Sequence, residues 1–420
     1  MKTGLALLIA GVLLAMFLEP LLAVGEAQSG PAEGPRATIA PSIVRLDPGA
    51  QCRFSIQSTA VPAASTTSDS AGAVGWSVND VPSGGTEFGT ITSDGLYTAP
   101  ARIPSFNEVC ITATLRGAAD RYAWATVVVG SARPSYVFVG QWGTRGVGRG
   151  EFRQPHGICV ERDGNLLVTD STNDRVYRFT PAGRLIGELS AGPGRFQGPR
   201  DVTVDSEGNI YVVDGTWGRI RRFSQRGELT AEWGEKGSGA GQFMRPHAFA
   251  LGLEGRIYVT DVDNGRIQVY DPSGKFLFGW GERGTGPGQF TAPHGLRADP
   301  NGDIFVSEYD GRRCQKFAPD GRHLLTFAVL PPGGRLTYHA MACDRHGNTY
   351  FVVRDHSGEE SAIAKYNNQG DFITRFALPP EAGRVFMPDC AAIDEAGRVY
   401  VTDKGRGSVG VDVFAPGKTQ

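Results

Sequence analysis

From about residue 155 onward, short apolar runs alternate with turn signals. Pro155-His156 opens one run, and Asp163-Gly164-Asn165 then precedes Leu166-Leu167-Val168; the same wording returns as Glu207-Gly208-Asn209 before Ile210-Tyr211-Val212 and Asn301-Gly302-Asp303 before Ile304-Phe305-Val306. Runs of this length, rich in β-branched and aromatic residues and bounded by Gly and Asn, predict strands joined by tight hairpins. The opening step recurs at Pro155-His156, Pro199-Arg200, Pro246-His247, Pro293-His294, Tyr338-His339 and Pro388-Asp389, with the marked residues 44, 47, 47, 45 and 50 positions apart. That period is the length of one four-stranded unit, so the chain from 136 to 420 is predicted to be a six-bladed β-propeller. Equivalent residues of each copy then converge on one axis, and four of the seven histidines occupy that place. The last copy has room for three strands, which predicts that residues 136–142, with Tyr136-Val137-Phe138-Val139, close the ring as its fourth.

Before the repeats, residues 38–130 show a different alternation: Cys52 to Ile56, Val74 to Val78, Val109 to Thr114 and Ala123 to Val129 read as strands of a β-sandwich. The expected fold class is therefore all-β throughout. Residues 1–27 carry Lys2 and an apolar run from Leu5 to Leu18, then small-residue sites at Ala23-Val24-Gly25 and Gly25-Glu26-Ala27, which read as a cleavable export signal. An uncleaved anchor is the alternative, and only then is a membrane involved. Residues 28–37 are small and polar and read as a linker. The expected location is secreted or periplasmic.

Composition narrows the function. A net charge of -2 gives no electrostatic pull on nucleic acid, so no nucleic-acid partner is expected. Glycine (58) and proline (26) are abundant while apolar residues hold at 40%, which fits many tight turns rather than disorder. The sequence has no Cys-x-x-Cys pair, nucleophile elbow or phosphate loop.

The chemistry sits at the marked positions. His156, His247 and His339 are 91 and 92 residues apart, two copies each, so they stand about a third of a turn from one another. Three imidazoles facing one axis are the ligand set of an open divalent-metal site. Arg200, His294 and Asp389 fall on the alternate copies, placed to bind an anion, move a proton and orient a ligand. The competing reading is structural: a histidine at a strand crossing satisfies backbone groups and nothing more. Cys159, Cys343 and Cys390 read as small core residues, with a Cys343 to Cys390 bridge left open.

Several resemblances follow from these motifs. The strand-ending acids with a following base, Asp170 with Arg175, Asp214 with Arg219, Asp261 with Arg266 and Glu308 with Arg312, resemble the NHL repeat family; a carboxylate tied to turn amides and an arginine also serves simply to lock a blade. In the N-terminal region the order Cys52, Trp76, Cys110, with Gly89-Thr90-Ile91-Thr92 and Gly95-Leu96-Tyr97-Thr98-Ala99-Pro100, resembles bacterial Ig-like domains. That resemblance implies a Cys52–Cys110 disulfide, free thiols being the alternative, and a spacing or adhesive role. The run from Pro199-Arg200-Asp201 through Asp214-Gly215, Glu232-Trp233-Gly234-Glu235, Gly241-Gln242-Phe243, Pro246-His247 and Asn264-Gly265-Arg266-Ile267-Gln268 resembles the lyase domain of peptidylglycine α-amidating enzymes. The resemblance implies zinc on His156, His247 and His339, with the family's active-site arginine falling near Lys404. Thr216 and Trp217 stand where that family has its tyrosine, and Ala340 where it has a calcium-binding aspartate, so zinc is expected ahead of calcium.

Two functions emerge. The leading one is an exported binding protein whose channel face recognises a peptide, a glycan or another protein. The other is a metal-dependent lyase similar to the amidating enzymes. RNA binding, as in some NHL proteins, conflicts with the charge and the export signal.

Overall fold

The six copies of the repeat fold into six four-stranded antiparallel sheets in a computed structural model of the protein. It describes residues 36–58, 74–115, 121–132, 135–190, 194–309, 313–329, 336–355, 361–377, 385–405 and 409–417. The export signal and nearly all of the linker lie outside the described residues. Apart from a 3-10 turn at Leu253–Gly255, the described elements are strands.

Each sheet runs from its innermost strand outward in chain order, as in Pro199–Val204, Ile210–Asp214, Arg219–Phe223 and Leu229–Trp233. Burial follows position. The second strands, such as Leu166–Asp170 and Ile257–Asp261, are buried at every residue because sheets cover both their faces. The outer strands alternate, as in Phe276–Trp280, whose outward faces meet solvent. Hairpins between first and second strands use a repeated device. Asp205 Oδ1 accepts from the amides of Glu207 (2.9 Å) and Asn209 (2.8 Å), and Gly208 between them takes φ 85°, a left-handed conformation that favours glycine.

The innermost strands neighbour one another in sequence, and the sixth, Pro388–Ile393, lies against the first, Pro155–Val160. The sheets are laced at the axis by hydroxyls on their second strands. Thr169 Oγ1 donates to the Arg200 carbonyl (3.1 Å), Thr260 Oγ1 to that of His294 (3.4 Å) and Thr402 Oγ1 to that of His156 (2.7 Å). The last of these joins sixth sheet to first. Tyr136–Trp142 supplies the outer strand of the sixth sheet, pairing antiparallel with Gly410–Pro416. Phe414 is fully buried there, with its ring against Phe138, Phe376 and Phe386.

The strand-ending acids hold loops rather than chemistry. Asp170 accepts from the Arg153 (2.7 Å) and Gln154 (3.1 Å) amides, Asp261 from Met244 (3.0 Å), Glu308 from Thr291 (2.7 Å) and Asp403 from Met387 (2.8 Å), each fixing the turn that enters the innermost strand. The expected basic partners are corrected in two sheets. Arg175 pairs with Glu188, and Arg221 rather than Arg219 approaches Asp214; in a third, Arg313 holds Glu308, the expected Arg312 lying outside the described residues. Arg266 meets its acid as expected, Asp261 at 3.0 Å.

Residues 36–129 form two main sheets around one core. One sheet contains Ile43–Leu46, Arg121–Val129, Glu108–Leu115, Val74–Val78 and Val81–Pro82; the other contains Gln51–Arg53, Leu96–Thr98, Gly89–Ile91 and Gly84–Gly85. Phe54, Val78, Tyr97, Val109, Ile111 and Val127 fill the space between, with Trp76 half-buried beside them. The Cys52–Cys110 disulfide is absent, for a reason of strand parity: Val109, Ile111 and Ala113 face this core, whereas Cys110 points to the other face with Glu108, into a cleft shared with Cys343 and Lys365. Cys52 packs on the core side. Cys343 and Cys390 are also free thiols.

Residues 36–420 make one compact unit. Polar groups sew the N-terminal sheets to the repeats. Arg36 pairs with Asp303, Ser42 with Asp371 and Lys365 with Glu108, while the Tyr122 amide donates to Asn301 Oδ1 (2.9 Å) and Asp80 meets His346 Nε2 (3.0 Å).

Two stability tests follow. Phe414→Ala removes the centre of the closing sheet and is expected to cost about 3–5 kcal/mol in urea denaturation. Glu108→Leu leaves Lys365 buried without its carboxylate and is expected to cost about 3–5 kcal/mol, most of it recovered in the Glu108→Leu/Lys365→Met double variant. Additive losses in the double variant would show that the pair is not energetically coupled.

Candidate functional site

At each of the six marked positions the pairing of first and second strands slips. The register shifts between Pro155 and Ile158, Pro199 and Val202, Pro246 and Phe249, Pro293 and Gly295, Tyr338 and Met341, and Pro388 and Ala391. A bulge bends the strand and re-aims its side chains. The proline ahead of it gives up no ladder amide, which suits the first residue of a strand. Local sequence thus puts a polar side chain where regular pairing would put an apolar one.

The side chains of His156, His247, His294 and Asp389 are buried together at the axis. The His156 and His247 ring centroids are 5.0 Å apart, and His294 lies closer still to His247, at 3.5 Å with planes inclined by 36°. Tyr309 flanks His294 at 5.3 Å. His156 Nε2 is 3.3 Å from Asp389 Oδ2. The opposite oxygen of that carboxylate meets Lys404 Nζ at 2.7 Å and Arg354 Nη2 at 3.6 Å. His339 stands in the same bulge on Leu336–Cys343, but its side chain lies outside the described residues. Of the expected set, then, His156, His247, His294, Asp389 and Lys404 come together. Arg200 joins them electrostatically, its charge felt by both His247 and Lys404.

Electrostatics sort these groups. Burial, then the neighbouring His294, His156 and Arg200, pushes His247 well below the usual histidine range, so it is neutral; its Nδ1 is buried without a hydrogen-bond partner among the described residues. Burial draws Arg200 and Lys404 down from their ordinary values, with Asp389 acting against it in both.

Deeper along the innermost strands the channel is filled. Arg297 Nη1 bonds Asp201 Oδ2 (3.0 Å) and the carbonyls of Phe249 (3.0 Å) and Leu296 (2.7 Å), while Arg297 Nη2 reaches Cys390 Sγ at 3.7 Å. Asp201 holds the Arg297 guanidinium charged despite its full burial. The histidine ring therefore lies above a floor. On the other side a cleft of about 490 Å³ is lined by Arg145, Arg153, Gln154, Thr172, Arg354, Met387 and Lys404. Through Lys404 and Arg354 this opening, the cup, leads to the buried Asp389, and four cations line it.

Arg354, Arg145 and Arg153 were not singled out by the sequence reading. For Arg354 a signal existed: where five sheets end their second strand in Asp or Glu opposite the entering proline, the fifth places Val353 opposite Tyr338 and then Arg354. The blade that drops the loop-locking acid sends a cation into the cup. Thr216 and Trp217 lie apart, on a second cleft with Gln197, Arg219, Glu235 and Lys236, where Trp217 is 44% exposed and Arg219 covers its ring at 5.5 Å. Among the described residues no group of three or more His, Cys, Asp or Glu is arranged to hold a metal ion; the expected zinc triad includes His339, whose side chain is not among them.

Comparison with known proteins places the repeats. Residues 152–179 and 243–270 match the NHL repeat. The chain is 33% identical over 106 residues to the E3 ubiquitin-protein ligase TRIM71 of Rattus norvegicus, covering 24% of this chain and 12% of that protein, and equally to TRIM71 of Mus musculus. It thus spans about an eighth of the length of the curated relatives it matches. Among solved structures it is similar to a streptogramin B lyase (TM-score 0.49, 16% identity, 67% of this chain and 98% of that one). It is also similar to virginiamycin B lyase from Staphylococcus aureus (0.47, 13%, 81% and 99%) and to a gluconolactonase from Xanthomonas campestris (0.46, 15%, 63% and 88%). The chain is an all-β protein that carries NHL repeats in a β-propeller.

Proposed function

We propose that this chain is an exported binding protein whose six-bladed propeller recognises an anionic group of a peptide, glycan or protein in the cup at its axis. One observation carries the reading. Asp389 is shared by Lys404, Arg354 and His156, and Lys404 and Arg354 line one opening with Arg145 and Arg153, so four cationic side chains stand where a ligand enters. Partly buried cations of this kind favour a carboxylate or sulfate over a neutral group, because the ligand's charge is desolvated against donors already in place. Arg297 and Asp201 floor the cup, which suits a terminal or branching group rather than a threaded chain. The N-terminal sheets, read as an Ig-like spacer, meet the propeller through the contacts of Glu108, Tyr122 and Asp80.

A panel of acidic peptides and uronic-acid oligosaccharides, each beside its neutral amide, tests this by calorimetry. The acidic member is expected to bind at least about tenfold more tightly, and Arg354→Met to weaken it by about ten- to a hundredfold, the worth of one charge-assisted hydrogen bond. Equal affinity for acid and amide would sink the reading.

A second reading keeps the lyase chemistry. It is favoured by the unpartnered Nδ1 of His247 and by the 5.0 Å approach of His156 to His247, which with His339 would hold zinc. A bound zinc ion would polarise a substrate oxygen; His294 and Asp389 would then move or hold a proton, and Lys404 with Arg200 would bind the substrate's carboxylate. On this reading, protein purified without chelator carries about one equivalent of zinc that is lost in a His156→Ala/His247→Ala/His339→Ala variant. No metal in either protein, even after incubation with zinc, excludes it.

A further inference from the structure

Among the described residues three buried or partly buried lysines stand in ion pairs, and they are not alike. Lys316 Nζ lies between two carboxylates, Asp299 at 3.1 Å and Asp303 at 3.0 Å, and these outweigh burial and hold its charge above the ordinary lysine range. Lys365 is likewise held up against burial by Glu108. Both belong to the seam between the N-terminal sheets and the repeats, and both are permanent ammonium ions.

Lys404 is built differently. Its Nζ has Asp389 at 2.7 Å, but that carboxylate also serves Arg354 at 3.6 Å and His156 at 3.3 Å, and Arg200 adds a further positive charge nearby. Burial, with Arg354 and Arg200, draws it below the ordinary lysine range although Asp389 pulls the other way. It is also the one of the three that lines the open cup, beside Arg145, Arg153 and Arg354. An amine with a proton acceptor in contact, cationic neighbours that disfavour its protonation and an approach from solvent has the environment of a nucleophilic lysine.

We propose that Lys404 condenses with the carbonyl carbon of a small 2-oxo acid, forming an imine while the arginines of the cup hold the acid's carboxylate. Asp389 takes one ammonium proton and frees the nitrogen lone pair. The nitrogen adds to the carbonyl carbon, and a second of its protons passes to the new alkoxide. Asp389 returns its proton to that hydroxyl, which leaves as water as the C=N bond forms. The net change is ammonium plus ketone to iminium plus water, with no oxidant or reductant. The grip on the carboxylate rests on the anion reading above; the imine does not.

Reductive trapping tests both parts. The full chain is incubated with pyruvate and sodium cyanoborohydride, then with acetone in place of pyruvate, and digested for mass mapping of labelled lysines. Lys404 is expected to carry at least about ten times the pyruvate label of the exposed Lys236 and Lys275, despite its burial, and several times its own acetone label. Lys404→Arg, checked for an unchanged thermal melt, is expected to lose the label at this site, and Asp389→Asn to slow its appearance. Arg354→Met is expected to reduce pyruvate labelling to the acetone level. Pyruvate labelling of Lys404 no greater than that of Lys236 overturns the imine whatever the cup's affinity for anions. Strong labelling that is equal for acetone and pyruvate overturns the 2-oxo acid as partner and weighs against the anion reading, while leaving a reactive amine in place.

Discussion

The structure depends on a repeated misfit between neighbouring strands. In each of the six sheets of the repeats the innermost strand slips out of register immediately after its entry, and the slip falls where His156, His247, His294 and Asp389 turn to the axis. A bulge forfeits ladder hydrogen bonds, and in several sheets the protein replaces them from the side. The hydroxyl of Thr169, Thr260 or Thr402 accepts from the amide of Gly157, Ala248 or Cys390 in its own sheet, and donates across to the carbonyl of the marked residue in the next. The bulge at His156 is thereby pinned twice, at the Gly157 amide and at its own carbonyl. The same groups that lace the ring also fix the direction in which the site residues point, so packing and site geometry have one cause.

That arrangement leaves charge as the variable. His156, Arg354 and Lys404 converge on one buried carboxylate, Asp389, and Arg200 and His247 lie within its field. Full burial of His247 settles its own share by neutrality. Arg297 settles its share through Asp201 on the floor. At the open side Arg354 and Lys404 share Asp389 between them. Elsewhere the protein shows that it can neutralise a buried lysine fully, as Asp299 and Asp303 do for Lys316. The under-compensation at Lys404 is therefore a local property of the cup rather than a general feature of how this fold buries cations.

The repeat, the strand order and the closing segment were legible because they rest on period and hairpin chemistry, which are local. The convergence of His156, His247, His294 and Asp389 was legible too, since equivalent positions in a ring must meet. What could not be read was which of them touch. Spacing by two copies singles out His339 with His156 and His247, and the His339 side chain lies outside the described residues; that His294 stacks on His247 was not readable, because ring centroids at an axis depend on side-chain torsions and not on copy number. The base after each acid misled in a similar way: Arg175 and Arg221 find partners by strand register, a tertiary matter. Cys52 and Cys110 failed as a pair because one residue of parity sends Cys110 to the far face of its sheet. Arg354 was hidden in the copy that departs most from the others, where a pattern search loses its footing just as the chemistry begins.

The site also straddles the place where the chain closes on itself. His156 belongs to the first sheet and Asp389 and Lys404 to the sixth, so their contact crosses the same boundary that Thr402 laces to the His156 carbonyl and that Arg145 reaches over to the Gly405 carbonyl at 3.4 Å. The sixth sheet is itself completed by Tyr136–Trp142, from the other end of the propeller. A ring opens most readily where it is joined by non-covalent contacts alone, and here that joint carries the buried carboxylate. Opening it would expose Asp389 and Lys404 to water, strengthening the case of each for its charged form but removing the shared field that sets Lys404 apart. Closure of the fold and tuning of the cup therefore meet at one joint: Asp389 and Lys404 keep their shared field only while the first and sixth sheets stay together.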